Sequence, residues 1–461
     1  MTAGGGGTSR VPAGFTYLGQ FLDHDLTFDR TKVTLGTAVS PADLLQARSP
    51  SLDLDSLYGA GPQDPESAGF FAADGIHFKL GKTVAADGIP AKDGVDLPRG
   101  AGTTAAARRH AIIPDPRNDE NLAVAQTHLA LMRFHNRVAD SLPASVPASQ
   151  RFAQARKLVT LHYQWMVRTD YLPRICARPV VDDVFKHGRK AFEPGAAPTD
   201  VPTMPIEFSV AGLRFGHSMV RPAYSWNKIF DDGAGTLDLL LLFSGTSGTL
   251  VGKKALLSTW IADFRRLYDF GAAGRPDLVV PPARFNHAMR IDTKLVNPLR
   301  NLPPGSFGGP AVPEGDPRDN LAFRNLARAR MVKLATGQQM ATFLRAKGVK
   351  LAPLTRKQLR EGRTGVDFDG FTTAQAGALL KDTPLWFYVL REAEINRGRL
   401  TGVGARIVAE TFHRAIEGSR FSIVRDPAWR PTLGPNSTTF RMADLLLFAF
   451  EGKKALLAPL G

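Results

Sequence analysis

Along most of this chain, apolar residues return every third or fourth position, the repeat of helices with one buried face. Such stretches cover residues 15–28, 122–142, 151–171, the helical part of 206–224, 253–270, 320–346, 373–398 and 402–418. Asn118 or Asp119 offers a cap for the second of these, and Pro222 should end or kink the 206–224 segment. A last segment, 441–460, reads as a surface helix. Alternation with period two is confined to short runs such as 75–84 (GIHFKLGKTV), a hairpin pattern inside a loop-rich region at 60–105. The stretches at 193–205 and 301–317 read as loops, and the Gly-rich residues 1–14 give little reason for order. No alternating strand–helix series occurs. The fold class is therefore mainly α, with long loops and a few short β-hairpins.

Composition adds bounds to this picture. With 461 residues, 43% hydrophobic and 22% charged, the chain is globular rather than disordered. Its net charge of +15 suits anionic ligands or acidic surfaces. The basic residues are scattered, without the dense run or basic-aromatic motif of a nucleic-acid binder. The single cysteine, Cys176, cannot form a disulfide within the chain. No apolar run reaches the length of a membrane span. The first residues contain no apolar signal region, so the expectation is a cytoplasmic or unconventionally exported protein.

The chemistry concentrates in one stretch, LGQFLDHDLT at 18–27. Gln20, Asp23 and His24 stand three and four apart, on one helical face, while Asp25 points elsewhere. Two carboxylates beside an imidazole in an apolar frame need partners. A second pattern is SPSLDLD, with oxygen-bearing residues at every other position: Ser49, Ser51, Asp53 and Asp55. In an extended loop these would converge as an oxygen-rich cation site does, although the EF-hand spacing and closing Glu are missing. Of ten histidines, His77, His110, His187 and His287 read as surface, and His128, His135 and His162 as core. His413 lies on a polar helix face. His24 and His217 remain, the latter with Arg214 and Arg221 at helical spacing. Asn325 and Arg328 form one further polar pair on a shared face. Neither histidine has the neighbours of a zinc site. One imidazole amid acid and amide, and another amid arginines, suit the two faces of an anionic macrocycle. Haem iron takes an axial imidazole, its propionates favour Arg, and its open face needs an acid–base group.

In combination and order, these motifs resemble the animal-type haem peroxidases of the peroxidase–cyclooxygenase superfamily, in a compact prokaryotic-type form. GQFLDHDL resembles the distal-helix signature and SLDLDSLYG the calcium loop. DPRNDEN followed by HLALMRFHNR resembles the distal-arginine segment and the helix behind it. LRFGHSMVRP resembles the proximal signature and RNLARAR the segment that backs the proximal histidine. The resemblance implies one large helical peroxidase domain over 15–461. It assigns His24 as distal acid–base, Gln20 as the amide that positions distal water, peroxide or halide, and Arg117 as distal arginine. His217 would ligate iron, Asn325 would accept its other ring N–H, and Arg214 and Arg328 would meet the propionates. Asp25, Ser49, Ser51 (through its carbonyl), Asp53 and Asp55 would bind calcium. Asp23 and Glu120 match carboxylates that form esters to haem b.

The implied activity is oxidation of small anions (bromide, iodide, thiocyanate) or phenol-type donors by hydrogen peroxide through a ferryl intermediate. An unperturbed His24 would limit activity below about pH 6.5. Two departures refine the expectation. Asn121 follows Glu120 where myeloperoxidase has a methionine bonded to haem, which argues against chloride oxidation. Arg214 stands three before His217, where cyclooxygenases carry their radical tyrosine, which argues against a fatty-acid dioxygenase. A non-catalytic haem-binding interaction protein would have no need of Gln20, His24 and Arg117 together.

Overall fold

The computed structural model describes residues 1–461 apart from residues 3, 305, 307–311 and 314. Helices dominate, and the sheets among the described residues are three two-stranded antiparallel ribbons. The Leu122–Ser141 helix is central. It is buried on nearly every side, as an interior helix must be. The Gly14–Leu26, Ala148–Met166 and Met442–Ala449 helices pack around it. Its cap is Asn121, two residues beyond the nearer predicted position, Asp119: Asn121 Oδ1 accepts from Val124 N at 2.9 Å. The Gly14–Leu26 helix forms as its pattern predicts, burying Phe15, Leu18, Phe21, Leu22 and Leu26.

Several expectations change in three dimensions. Residues 1–14 are not a loose leader. Thr8–Pro12 pairs with His287–Met289, and Gly5 N donates to Leu295 O at 3.0 Å. The 253–270 stretch is not a helix but a buried, irregular path with 3-10 turns at Ser258–Trp260 and Phe264–Arg266. Tertiary partners replace the helical ladder there. Asn227 Nδ2 donates to the carbonyls of Thr259 and Ile261 (both 2.8 Å), and Trp226 Nε1 to Trp260 O. The 320–346 stretch divides into Leu321–Met331 and Gly337–Ala346. Lys333 breaks it with a φ of 49°, and a Thr336–Gln339 capping box starts the second helix. Likewise, 373–398 divides at Pro384 into Thr373–Lys381 and Leu385–Ile395, as proline dictates. The predicted hairpin at 75–84 instead pairs Gly81–Lys82 with Asp93–Asp96. The terminal Met442–Ala449 helix buries Met442, Leu445 and Leu446 against the central helix rather than lying on the surface. Much of the 301–317 loop falls outside the described residues.

The start of the Gly14–Leu26 helix depends on close approach. A Cβ at Gly14 would stand 2.2 Å from the ring of Tyr268, whose hydroxyl donates to Gly14 O at 2.9 Å. Gly14→Ala is therefore expected to destabilise the fold by about 1–3 kcal/mol through overpacking. Chemical denaturation would measure this, with Tyr268→Phe showing a smaller loss.

Candidate active site

His24 lies in the last turn of its helix and is 5% exposed. Its Nδ1 is 2.8 Å from Asn118 Oδ1. An amide oxygen only accepts, so Nδ1 carries the proton and Nε2 keeps its lone pair. Burial, reinforced by the positive charge of Arg117, pushes the ring down to about 4. His24 is thus a neutral base well below pH 6.5. Asn118, read from the sequence only as a candidate helix cap, was not predicted as the partner of His24. It sits in the 3-10 turn Pro116–Asp119, beside Arg117, and no spacing rule marks it as a partner.

Arg117 is placed differently from the expectation of a guanidinium facing the open site. Its Nε and Nη2 donate to Asp115 (3.0 and 2.6 Å). Nη2 also donates to the carbonyls of His24 (3.1 Å) and Thr27 (2.6 Å), and the group stacks on Phe28 at 4.3 Å. Asp115, fully buried, also accepts from Arg48 Nη2 at 2.6 Å. Its carboxyl is held well below the usual range by these two arginines. Arg117 therefore fixes the end of the helix that carries His24.

The other distal residues gather nearby. Gln20 Oε1 accepts from Asn121 Nδ2 at 2.8 Å, so the residue that caps the central helix also orients this amide. Asp23 Oδ1 accepts from Thr27 Oγ1 at 2.9 Å. Glu120 is 4% exposed, and burial raises its carboxyl to about 8, against the pull of Arg117.

His217 and Arg214 sit on the 3-10 stretch Leu213–Met219, where residues three apart eclipse one another. Arg214 lies within electrostatic reach of Asp23 and Arg117, so the fold brings the 14–26, 117 and 214–217 segments to one space. A Cβ on Gly216 would meet nothing within 4 Å. His217 Nδ1 is tethered by Asn325 at 2.8 Å, as the spacing on 325–328 could not have indicated. The polarity differs from expectation. Arg214 Nη1 donates to Asn325 Oδ1 at 3.1 Å, so Asn325 offers its amide N–H to the ring instead of accepting from it. Arg328 pairs with Asp29 rather than facing the site. Arg221 also turns away, donating to Ala223 O and His287 O.

The alternating oxygen pattern does not close into a cation cage. Asp25, fully buried, accepts from Leu54 N and Ser56 N (both 3.2 Å). Leu54 adopts a φ of 61° at this turn. Asp53 accepts from Arg420 N at 3.0 Å. Ser49 Oγ accepts from Ser51 N at 3.2 Å, and Ser51 Oγ donates to Gly418 O at 3.2 Å. Among the described residues, no group of three His, Cys, Asp or Glu is arranged to hold a metal ion. Asp25, Asp53 and Asp55 nevertheless stand close enough for mutual repulsion. Burial, followed by the charge of Asp55, raises Asp25 to about 8 and Asp53 to about 6.

Residues 10–242, half of the chain, match the animal haem peroxidase family. This chain belongs to that family. The match contains His24, Arg117 and His217, while Asn325 and Arg328 lie beyond it. Thyroid peroxidase of Rattus norvegicus is 28% identical over 196 residues, 40% of this chain and 20% of that protein. Heme peroxidase 2 of Caenorhabditis elegans is 28% identical over 131 residues, 27% of this chain and 18% of that protein. The aligned part thus spans about a fifth of these curated relatives. Among solved structures, peroxidase A of Dictyostelium discoideum aligns with a TM-score of 0.61 at 16% identity, covering 99% of this chain and 87% of that one. The fatty acid alpha-dioxygenase of Arabidopsis thaliana aligns with a TM-score of 0.60 at 13% identity, covering 99% and 73%. Both likenesses are likenesses of fold. The family implies haem as cofactor. Two buried imidazoles, each tethered at Nδ1 by an asparagine and with Nε2 unbonded among the described residues, fit that cofactor.

The buried Nδ1–H tautomer of His24 sets its titration. In ring-labelled protein without haem, the His24 resonances should stay those of a neutral Nδ1–H ring down to about pH 4. A midpoint near 6.5 would contradict the placement of His24 beside Arg117.

Proposed function

We propose that this chain is a haem peroxidase that uses hydrogen peroxide to oxidise small anions (bromide, iodide, thiocyanate) or phenol-type donors. The observation that carries the reading is the His24 ring, whose Nδ1 is fixed on Asn118 and whose Nε2 is left as a free, neutral base. Haem, when bound, supplies the redox centre at which peroxide is cleaved. His217 would hold it through Nε2. Arg214 would meet a propionate, which would free Asn325 Oδ1 to accept a hydrogen bond from a His217 Nδ1–H. Arg328 would serve as a second partner only after leaving Asp29. Asp23 and Glu120 are the carboxylates offered for ester links. The raised pKa of Glu120 favours a neutral side chain, which an ester would also give.

The chain's own residues account for the proton movements. His24 Nε2 takes the peroxide proton and returns it to the departing oxygen, as a general base and then a general acid. Gln20, held by Asn121, orients water or peroxide beside it. Arg117 keeps the helix end, and hence His24, in position, and its charge favours the neutral ring.

Reconstitution with haem should give a Soret band that His217→Ala abolishes. His24→Ala should keep the band but slow the reaction with peroxide by about a hundredfold or more. Full turnover in that variant would refute the assignment. Because the folded pKa of His24 is depressed, its base form persists in acid, and the acid limb of the peroxide reaction should lie near pH 4 rather than 6.5.

Calcium is proposed at Asp25, Asp53 and Asp55 with Ser49 and the Ser51 carbonyl, which a bound ion would have to draw together from their present arrangement. The support is the mutual repulsion of the three carboxylates in a buried setting, which a divalent cation would relieve. Added calcium should then raise the melting temperature of metal-free protein, and Asp25→Asn should remove that increment. An unchanged melting temperature would reject the site.

A further inference from the structure

The chain's excess of positive charge is unevenly exposed. Between the ion pairs of Arg328 with Asp29 and of Arg391 with Glu394, no lysine or arginine side chain forms an ion pair among the described residues. Arg345, Lys347 and Lys350 stand exposed at the end of the Gly337–Ala346 helix and in the loop after it. Arg356, Lys357 and Arg360 are exposed on the Arg356–Glu361 helix, and Arg363 lies exposed just beyond it. Seven cations thus fall within residues 345–363 against one acid, Glu361.

The fold gathers these cations on one side. Both helices pack against the buried Leu385–Ile395 helix, and Tyr388 of that helix meets the start of each. A Cβ at Gly337 would stand 2.0 Å from its ring, and its hydroxyl accepts from Leu354 N at 2.7 Å. Met340, Ala341, Leu344 and Leu359 are buried, which leaves the charged positions of both helices turned outward. Neighbouring acids do not cancel the excess. Asp183, which shares a cavity wall with Lys350, is paired with Arg406 at 2.6 Å, and Asp182 lies 3.7 Å from Arg178. Asp367 and Asp369 in the next loop bring the acids to three, and the seven cations still exceed them by four.

Apolar groups set among the cations select the partner. Phe343 is 40% exposed, and Lys347 Nζ lies 5.6 Å from its ring centroid. Leu351 and Leu354 are half-buried in the loop between the helices. The headgroup–acyl boundary of a bilayer takes in an aromatic ring while long cationic side chains beside it reach the headgroups. Anionic headgroups also diffuse laterally, so they gather beneath irregularly spaced cations. A nucleic-acid duplex holds its phosphates at fixed spacing and buries its bases, which would leave the ring uncovered. We infer that this face docks on a membrane surface rich in anionic phospholipid, its cations over the headgroups and Phe343 at the acyl boundary.

Sedimentation of the full chain with lipid vesicles tests this. Vesicles of about one-third phosphatidylserine in phosphatidylcholine should bind it at least about tenfold more tightly than pure phosphatidylcholine, and about 0.5 M salt should remove the difference. Arg356→Glu, Lys357→Glu and Arg360→Glu combined should weaken binding to the phosphatidylserine vesicles by about tenfold or more. The same number of reversals at Lys228, Lys253 and Lys254, exposed on a different segment, should change it by less than about threefold. Phe343→Ser should weaken it by about threefold or more. All these side chains are exposed, and unchanged circular dichroism would show that each variant folds. The proposal would be overturned by binding without preference for phosphatidylserine, by equal losses in the two triple variants or by binding untouched by Phe343→Ser. Tighter binding to a single- or double-stranded oligonucleotide would overturn it as well.

Discussion

A carboxylate with no access to water, Asp115, holds two guanidinium groups, and the distal half of the site depends on it. Arg48 and Arg117 both donate to Asp115, and Arg117 also reaches the carbonyls of His24 and Thr27. Those carbonyls belong to the negative end of a helix, where a cation is favoured. Removing one member would leave an uncompensated buried charge, a loss of about 3–5 kcal/mol. The benefit of the triad is therefore positional. It fixes the end of the Gly14–Leu26 helix, and the residue after Arg117, Asn118, then selects the tautomer of His24. A single 3-10 turn, Pro116–Asp119, sets both the position and the proton state of the base.

The same device recurs on the proximal side with opposite polarity. Asn118 accepts from its histidine, whereas Asn325 donates to His217 because Arg214 occupies its oxygen. The carboxamide of Asn325, the guanidinium of Arg214 and the ring of His217 thus form one chain of donors. An anion that drew Arg214 away would permit the opposite direction of hydrogen bonding along it. Burial lowers the pKa of both histidines, so each ring is neutral and each keeps one nitrogen with a lone pair.

Carboxylates in this fold divide by how their charge is met. Asp115 has two arginines and is depressed. Glu394 accepts three backbone N–H groups and lies beside Arg391, and it is depressed as well. Asp25 and Glu120 are buried with too little compensation, and burial raises both to about 8. Asp25 lies on the helix of His24 and Glu120 directly follows the turn that tethers that ring, so the poorly compensated carboxyls gather around the base.

Sequence periodicity by itself determined the class, the main helices and the shared face of Gln20, Asp23 and His24, because local spacing fixes which residues lie together on a helix. Motif order determined the family, and with it His24, Arg117 and His217 as the residues of interest. Tertiary structure decided what spacing cannot carry. It turned 253–270 from an amphipathic helix into a buried loop, since side chains of Trp226 and Asn227 took its carbonyls. It tied the Gly-rich start to residues 287–295 through backbone bonds that any side chain would permit. It also moved Arg117 onto a helix end, Arg328 onto Asp29 and the oxygen-rich loop onto backbone N–H groups. Each of these depends on a partner about 30 to 300 residues away in the sequence, and no periodic signal encodes it. The Gly14–Leu26 helix was legible because its chemistry repeats with its own turn. Asn118, the residue that makes His24 a base, was not, because it reaches that helix only through the fold.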